Sequence, residues 1–368
     1  MTWLIDTRKQ CLVPATANLP YVALSYVWGQ TAMLKTERAN LSNHQEDGAF
    51  NRLRAMIPTT IRDAIDLVPL IGERYLWVDS LCIVQDEEDS KHTQLRDMAR
   101  IYENAVLTIV AADGMDADYG LRGIRNVSQP RQMQPELKLA SNVTVRAPQN
   151  LPLEHTTWAR RGWTSQELHF SHRRLTFIDG SVRWVCASGL HFEDEEVASR
   201  NGRYNHRPFN TLLLGLDNVC RARLVVSKLP NLYQLQRDIE AYNQRLFTYD
   251  EDVLPGFEGT LSIYSQSQFP RGFIHGMPIS FLDPALLWHT STSAPFVELR
   301  QSTDPSWECA PRWAWAGWKG AVFWDWEDII YYTSFYSRHC GKQIIPILTW
   351  KLRTSPNSTP VTIPFQNE

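Results

Sequence analysis

Short apolar runs alternate with amphipathic segments along the first half of the chain. Tyr21–Tyr26, Tyr75–Val78 and Val106–Ala112 are apolar runs rich in β-branched and aromatic residues, which predicts buried strands. Apolar residues recur at helical spacing after Pro58–Thr60 and again within Asp86–Ala105. Strands that alternate with helices predict an α/β fold with a largely parallel sheet.

Capping and turn signals indicate where several of these elements end. Thr59 or Thr60 is expected to cap its helix, because a hydroxyl can accept from the free N–H groups of the first turn. Arg161–His169 has helical spacing, and Asp179-Gly180 predicts a two-residue turn between two hairpin strands. Residues 115–157 are rich in Pro, Gln and Asn and are expected to form a loop.

The pattern changes after about residue 196. Arg200–Arg207 is polar and predicts a linker, which divides the chain into a first domain over residues 1–196 and a C-terminal accessory region over residues 197–368. Leu224–Phe247 carries an apolar stripe typical of a helix. Pro, Gly and Trp cluster in Pro311–Trp324, so the accessory region is expected to mix helical, irregular and β structure.

Composition and charge exclude several classes of protein. Hydrophobic residues make up 43% of the 368 residues and include 14 Trp, which predicts a packed core and argues against disorder. The net charge of −3 gives no electrostatic case for binding nucleic acid or an anionic membrane. The N-terminus does not resemble a signal peptide, and no apolar run approaches the length of a membrane span. We therefore expect a cytoplasmic protein with no membrane partner.

The six cysteines do not indicate a metal centre. They lie far apart, with no CxxC pair and no close Cys and His pairing, so no metal ligands are predicted and reduced thiols are the simplest interpretation. Cys82 could act as a nucleophile only beside a histidine, and the sequence spacing places no histidine next to it. A buried, inert thiol is the ordinary alternative.

Polar and aromatic residues follow the predicted strands. Because ligands bind beyond the carboxyl ends of parallel strands, these residues are expected to share one cleft. They are Ser25, Tyr26, Trp28 and Gly29 after the first strand, Asp79, Ser80 and Cys82 after the second, and Asp113-Gly114 after the third. Tyr26 or Trp28 could stack on a base, and Gly29 permits close approach of a phosphate, but a structural turn explains this loop equally well. Asp79 could bind a ribose hydroxyl or cap the next turn.

A tryptophan and a glutamate lie four residues apart in the predicted helix at Arg161–His169. Trp163 and Glu167 therefore share one face of that helix. On spacing alone, Glu167 is an ordinary acidic residue that the helix dipole favours, and Trp163 is a core residue or the wall of a pocket.

Four segments in this order resemble the heterokaryon-incompatibility (HET) domain of fungal proteins, over roughly residues 1–190. They are YVALSYVWG (21–29), IPTTIRDAI (57–65), YLWVDSLCIVQDEED (75–89) with the following IYENAVLTIVAADG (101–114), and RRGWTSQE (160–167). Two later segments, YNQRLFTYDEDVLPGFEG (242–259) and PRWAWAGWKG (311–320), resemble the region that often follows this domain.

HET domains are distantly similar to TIR domains, and this resemblance implies a flavodoxin-like α/β core. Several TIR proteins cleave NAD with a glutamate in a W-x-x-x-E element, which Trp163–Glu167 resembles. The resemblance implies that Glu167 is catalytic. It also implies a substrate pocket lined by Ser25, Tyr26, Trp28, Gly29, Asp79, Ser80, Cys82, Trp163 and Gln166. NAD or a related nucleotide would be the substrate, and no cofactor is required.

The function that this resemblance implies is that of a programmed-cell-death effector in heterokaryon incompatibility and fungal innate immunity. Such an effector would be a hydrolase or cyclase of NAD, activated by self-association or by a protein partner. The alternative is a non-catalytic signalling module that acts by homotypic or partner assembly. In that case Trp163 and Glu167 would maintain the fold or an interface.

Overall fold

The computed structural model describes the chain in two compact units, Met1–Leu224 and Val225–Glu368. The described residues are 1–16, 18–131, 136–140, 143–146, 151–187, 189–193, 230–290, 297–302, 310–324, 351–352 and 359–362. The predicted boundary after residue 196 and the predicted linker Arg200–Arg207 lie outside these residues, so both stay predictions.

The first unit is built on a mixed sheet with the strand order β10-β9-β8-β5-β3-β4-β1-β2. Its strands are β1 (Trp3–Asp6), β2 (Cys11–Pro14), β3 (Tyr21–Ser25), β4 (Tyr75–Trp77), β5 (Leu107–Ala111), β8 (Arg174–Ile178), β9 (Ser181–Cys186) and β10 (Gly189–Phe192). A separate hairpin pairs β6 (Glu136–Ala140) with β7 (Val143–Arg146). The predicted α/β fold is confirmed.

Helices connect the strands of this sheet. They are α1 (Leu41–His44), α2 (Ala49–Arg52), α3 (Thr59–Leu70), α4 (Asp79–Cys82), α5 (Glu88–Arg96), α6 (Met98–Asn104) and α7 (Thr164–Phe170), with 3-10 turns at Arg54–Met56 and Leu153–His155. In α3 the apolar residues fall on one face, so Ile61, Ala64 and Val68 have no exposed surface.

Four strands in the middle of the sheet are parallel, in the order β4, β3, β5, β8. Numbered along the chain, this order is 2-1-3-4, as in flavodoxin-like doubly wound sheets. The order reverses between β3 and β5, and at such a point doubly wound sheets bind their ligands beyond the carboxyl ends of the strands. Ser25, the last residue of β3, lies at this point.

The predicted strands and the hairpin turn are confirmed with boundaries shifted by one or two residues. Every residue of β3 and of β5 is buried, which explains their uninterrupted apolar composition. The turn between β8 and β9 has Asp179 at φ 53° and Gly180 at φ 65°. Two positive φ values match the two-residue hairpin turn that Asp-Gly favours.

The prediction of a threonine cap on α3 is wrong. Thr59 is already inside the helix, and the side chain of Asp118 accepts from the Thr59 N–H at 3.1 Å. The hydroxyl of Thr60 instead accepts from the N–H of Gly120 at 3.0 Å. The cap therefore comes from a segment 59 residues away in the sequence, which local pattern cannot reveal.

The prediction that residues 115–157 form a loop is also wrong in part. The hairpin of β6 and β7 lies within them, with Leu137 opposite Val145. Both strands alternate apolar and polar residues, as ELKLA and VTVR, but the surrounding Pro, Gln and Asn residues obscure this short period. The predicted helix over Asp86–Ala105 is confirmed as two helices, α5 and α6, separated at Asp97.

The second unit mixes helices with short strands, as expected. It contains α8 (Leu232–Asn243), α9 (Glu258–Ser267) and α10 (Leu282–Ala285), with 3-10 turns at Asp250–Val253, Pro255–Phe257, Ile279–Phe281 and Trp315–Gly317. Its strands are β11 (Phe273–Ile274), β12 (Met277–Pro278), β13 (Trp288–Thr290), β14 (Glu298–Leu299), β15 (Trp318–Lys319), β16 (Val322–Trp324), β17 (Lys351–Leu352) and β18 (Val361–Thr362).

The core of the second unit is aromatic. Tyr242 of α8 stacks on Phe257 with 4.4 Å between ring centroids, and Trp315 meets both rings edge-on. Trp315 has no exposed surface. The tryptophan-rich segment therefore contributes to a small core in which large rings fill the space.

Candidate functional site

A polar cluster lies where the sheet order reverses, and its centre is a contact between β3 and α7. The hydroxyl of Ser25, at the carboxyl end of β3, donates to the carboxylate of Glu167 in α7. The indole N–H of Trp158 donates to the same hydroxyl at 2.6 Å. Both Ser25 and Trp158 are buried, so this pair fixes the position of the Glu167 side chain from one side.

Burial raises the pKa of Glu167 to about 7. The positive charge of Arg161 and the hydrogen bond from Ser25 oppose this rise, while the negative charge of Asp79 adds to it. Tyr102 in α6 donates to the carbonyl of Leu24 at 3.1 Å and also lies within hydrogen-bonding reach of Glu167. Glu167 is therefore a buried acid that changes its charge near neutral pH.

A second carboxyl group belongs to the same cluster. Asp79 begins α4 directly after β4, and the indole N–H of Trp28 donates to its Oδ2 at 2.8 Å. The N–H of Ser80 donates to its Oδ1 at 2.7 Å, and the hydroxyl of Tyr26 donates to that of Ser80 at 3.0 Å. Burial raises the pKa of Asp79 despite these hydrogen bonds.

Arg161 is the basic residue of the cluster. Its guanidinium donates to the carbonyl of Tyr26 at 2.6 Å, directly after β3. Its charge lowers the pKa of both Glu167 and Asp79, so it acts on both acids. Two acids whose pKa values remain raised beside one cation are typical of functional sites.

Trp163 and Glu167 occupy the predicted helix face. Trp163 is the N-cap residue of α7, and its carbonyl accepts from the Glu167 N–H at 3.5 Å. Trp163, Trp28 and Asp79 keep part of their surface exposed, whereas Glu167 is 7% exposed. The two indoles and Asp79 therefore mark the side from which the cluster meets solvent.

Gln166 and Cys82 are buried, as are Ser25 and Ser80. Gln166 is 1% exposed, and its backbone N–H donates to Trp163. Cys82 has no exposed surface, and the N–H of Val78 donates to its sulfur at 3.3 Å. Burial raises the pKa of Cys82 to about 12, so its thiol stays protonated and is a poor nucleophile.

Gly29 contacts protein on the side where a side chain would stand. Its φ is 66°, and a Cβ atom built there would lie 2.4 Å from the Cβ of Asp116. Glycine is therefore required by the loop after β5, which packs directly on the loop after β3. The role of Gly29 toward a phosphate stays a prediction.

Three residues of the cluster were not singled out by the sequence patterns. Tyr102 falls on the apolar stripe of its helix, and the pattern around Trp158 and Arg161 predicts no role for either side chain. Arg161 and Tyr102 lie within the segments that carry the HET resemblance, and Trp158 lies two residues before the last of them. Their polar atoms contact β3 or Tyr26 directly after it, across at least 78 positions of sequence, so only the fold reveals their role.

The arrangement suits a ligand with a sugar and a planar ring. Carboxylates beside a cleft accept hydroxyl groups and stabilise a positive centre that develops on a sugar carbon. Indole rings at the rim offer flat apolar faces on which a base can stack.

Among the described residues, no group of three His, Cys, Asp or Glu side chains is placed to hold a metal ion. None of the described helices has the length and apolar composition needed to cross a membrane.

Comparison with known proteins finds similarity to heterokaryon-incompatibility proteins. The family model described as "Heterokaryon incompatibility protein (HET)" matches residues 21–167, which include β3, β4, β5 and Glu167. Heterokaryon incompatibility protein 6, OR allele, of Neurospora crassa is 34% identical over 117 residues, covering 28% of this chain and 16% of that protein. The chain therefore spans about one sixth of that relative. No solved structure matches.

Proposed function

We propose that this chain, which contains a HET domain over residues 21–167, is a heterokaryon-incompatibility effector that cleaves NAD between nicotinamide and ribose. The observation that carries the proposal is the buried carboxyl group of Glu167 with its pKa raised to about 7, beside Asp79 and Arg161. This group accepts from Ser25 at the carboxyl end of β3, the end at which doubly wound sheets bind nucleotides.

In the proposed reaction the bond between the ribose carbon and the nicotinamide nitrogen breaks. The bonding electrons stay on the nitrogen, which neutralises the pyridinium ring, and positive charge develops on the ribose. Ionised Glu167 stabilises that charge in a site of low dielectric. Water then forms the new bond to the ribose carbon, and Glu167 accepts its proton. An adenine nitrogen in place of water would give the cyclic product.

The other residues of the cluster orient the substrate and Glu167. Ser25 holds the carboxylate and Trp158 holds Ser25, so the acid is positioned through two hydrogen bonds. Asp79, at the exposed side, accepts a ribose hydroxyl, while Trp28 and Trp163 stack on the planar rings. Tyr26 and Ser80, which are joined by their own hydrogen bond, lie beside Trp28 and Asp79 and support their positions.

The experiment measures nicotinamide release from NAD by the purified full chain, at low and at high protein concentration. We expect Glu167→Gln to lower the rate by at least about 100-fold, because the substitution keeps the shape and removes the charge. Glu240→Gln is the matched control. Its carboxyl pKa is also raised by burial, but it lies in α8 of the second unit.

The pH dependence provides a second readout. Since the ionised form of Glu167 is the active one, the rate is expected to rise through about pH 7. A rate that is equal in wild type and Glu167→Gln would overturn the catalytic role.

A non-catalytic assembly module is the second candidate. The observation that favours it is the hydrogen bonding of Glu167 to Ser25, which is also what a structural acid would show. A structural role predicts that Glu167→Gln unfolds more easily and loses self-association measured by light scattering. Catalysis predicts an intact fold, unchanged association and lost nicotinamide release.

A further inference from the structure

A lysine is held at the rim of the site by the loop that follows β3. The ammonium group of Lys35 lies 5.1 Å from the centroid of the Trp28 ring. The indole N–H of the same ring donates to Asp79. One indole therefore has a cation over its face and a carboxylate at its edge.

The backbone around Lys35 is fixed by long-range hydrogen bonds. The N–H of Leu34 donates to the carbonyl of Met56 at 3.2 Å, and that of Thr36 donates to the carbonyl of Ser80 at 3.0 Å. Thr36 is fully buried, and its hydroxyl donates to the carbonyl of Leu81 at 2.6 Å. Lys35 thus extends from a rigid loop that is tied to the start of α4, next to Asp79.

Lys35 adds a positive charge at the exposed side of the cluster. Arg161 faces the two buried acids and donates to Tyr26. Lys35 is exposed, and within the described part of the chain no carboxylate lies within ion-pair distance of it. An anionic ligand that approaches two acids needs such a charge at the entrance, because like charges at a site repel it.

We infer that Lys35 binds the diphosphate of the dinucleotide beside the face of Trp28, while Asp79 binds a ribose hydroxyl at the edge of the same ring. This inference rests on the proposed function, since it takes a dinucleotide as the ligand. A ribose and its phosphate are adjacent groups in the ligand. Asp79 and Lys35 are adjacent in the protein, because both contact the Trp28 ring. The indole supplies the stacking surface between them. Lys35 is thereby assigned as a residue that determines specificity for a phosphorylated ligand.

The test titrates the full chain with ADP-ribose by calorimetry at several salt concentrations. Lys35→Gln is expected to weaken binding by about three- to tenfold, because a rim charge contributes modestly. Lys35→Arg keeps the charge and is expected to bind within about twofold of wild type. Wild-type affinity is expected to fall as salt rises, and this dependence is expected to be weaker in Lys35→Gln.

Lys9→Gln is the matched control. Lys9 is also an exposed lysine, but it lies in the turn after β1, which pairs with the amino end of β4. That turn is at the opposite edge of the sheet from Asp79, so Lys9→Gln is expected to bind ADP-ribose like wild type.

The outcomes separate this inference from the proposed cleavage. Equal affinities of wild type and Lys35→Gln, an equal loss in Lys9→Gln, or no binding by wild type would each overturn the role of Lys35. Binding that depends on Lys35 in a protein that releases no nicotinamide would retain this inference and overturn the cleavage.

Discussion

Asp6 and Glu167 are buried acids at opposite ends of the parallel strands of one sheet. Their pKa values are shifted in opposite directions. Asp6, at the end of β1, is 1% exposed, and burial raises its pKa, but hydrogen bonds from Arg74, Lys9 and Arg8 outweigh this and lower it. Arg74 alone donates to it from two nitrogens, the closer at 2.7 Å. Glu167 has fewer compensating donors, and its pKa stays raised at about 7.

This difference separates a structural acid, Asp6, from the acid for which we propose a catalytic role, Glu167. A carboxylate that accepts several hydrogen bonds stabilises the fold in its charged form. A buried carboxylate with incomplete compensation costs stability when it ionises, and it persists where its charge has a use. Burial alone therefore does not identify a catalytic acid, whereas burial with a raised pKa at the carboxyl edge of parallel strands does so far better.

The largest predicted effect is at the compensated acid. Asp6→Ala leaves the donors of Arg74, Lys9 and Arg8 without their acceptor, and we expect a loss of about 2–4 kcal/mol in the free energy of unfolding. Urea denaturation measures this loss. Asp47→Ala is the control: its side chain is 71% exposed in an ion pair with Lys9, so a change within about 0.5 kcal/mol is expected. Equal losses in both variants would contradict the comparison.

The next largest effect is a gain in stability, at Glu167. Because the folded pKa of Glu167 is about 7 and its unfolded value is near 4.5, the folded state binds the additional proton between these values. Stability from this group is therefore full below about pH 4.5 and is lost as pH rises through 7. We expect Glu167→Gln to be more stable than wild type at pH 8, by about 1–3 kcal/mol, with no gain at pH 4.5.

Denaturation at pH 4.5, 6 and 8 measures this pH dependence. Asp6 does not contribute to it, because a lowered pKa affects stability only below about pH 3.8. Glu46→Gln, which removes an exposed partner of Arg52, should follow the wild-type curve. A Glu167→Gln variant that is less stable at pH 8 would show that the ionised acid stabilises the fold, as Asp6 does.

The smallest effect tests the link between Ser25 and Glu167. Ser25→Ala removes a hydrogen bond to the ionised form, so the pKa of Glu167 rises further. The pH-dependent part of the unfolding free energy should move to higher pH, with a general loss of about 1 kcal/mol because the Trp158 N–H loses its acceptor. Ser181→Ala removes a buried hydroxyl that donates to Ile178 and should leave the pH dependence unchanged.

The sequence predicts the strands and the helix that carry these acids, but not the direction in which each pKa is shifted. Apolar runs that end in polar residues locate β3 and β4, and the Trp163 and Glu167 spacing locates α7, because these signals are local. Arg74, which compensates Asp6, lies 68 residues from it in the sequence. Ser25, which donates to Glu167, lies 142 residues from it. The pattern around each acid therefore cannot tell which one is compensated.

The hydrogen bond between Ser25 and Glu167 also determines when the site can form. These residues are 142 positions apart, and the contact from Trp158 to Ser25 spans 133. A ribosome that adds about 5–20 residues per second needs roughly 7–28 s to make the intervening chain. During translation Ser25 therefore lacks its contacts with Trp158 and Glu167 until those residues are made. A nascent chain cannot begin the proposed chemistry before α7 has emerged. Unfinished copies of the chain would therefore lack the proposed activity.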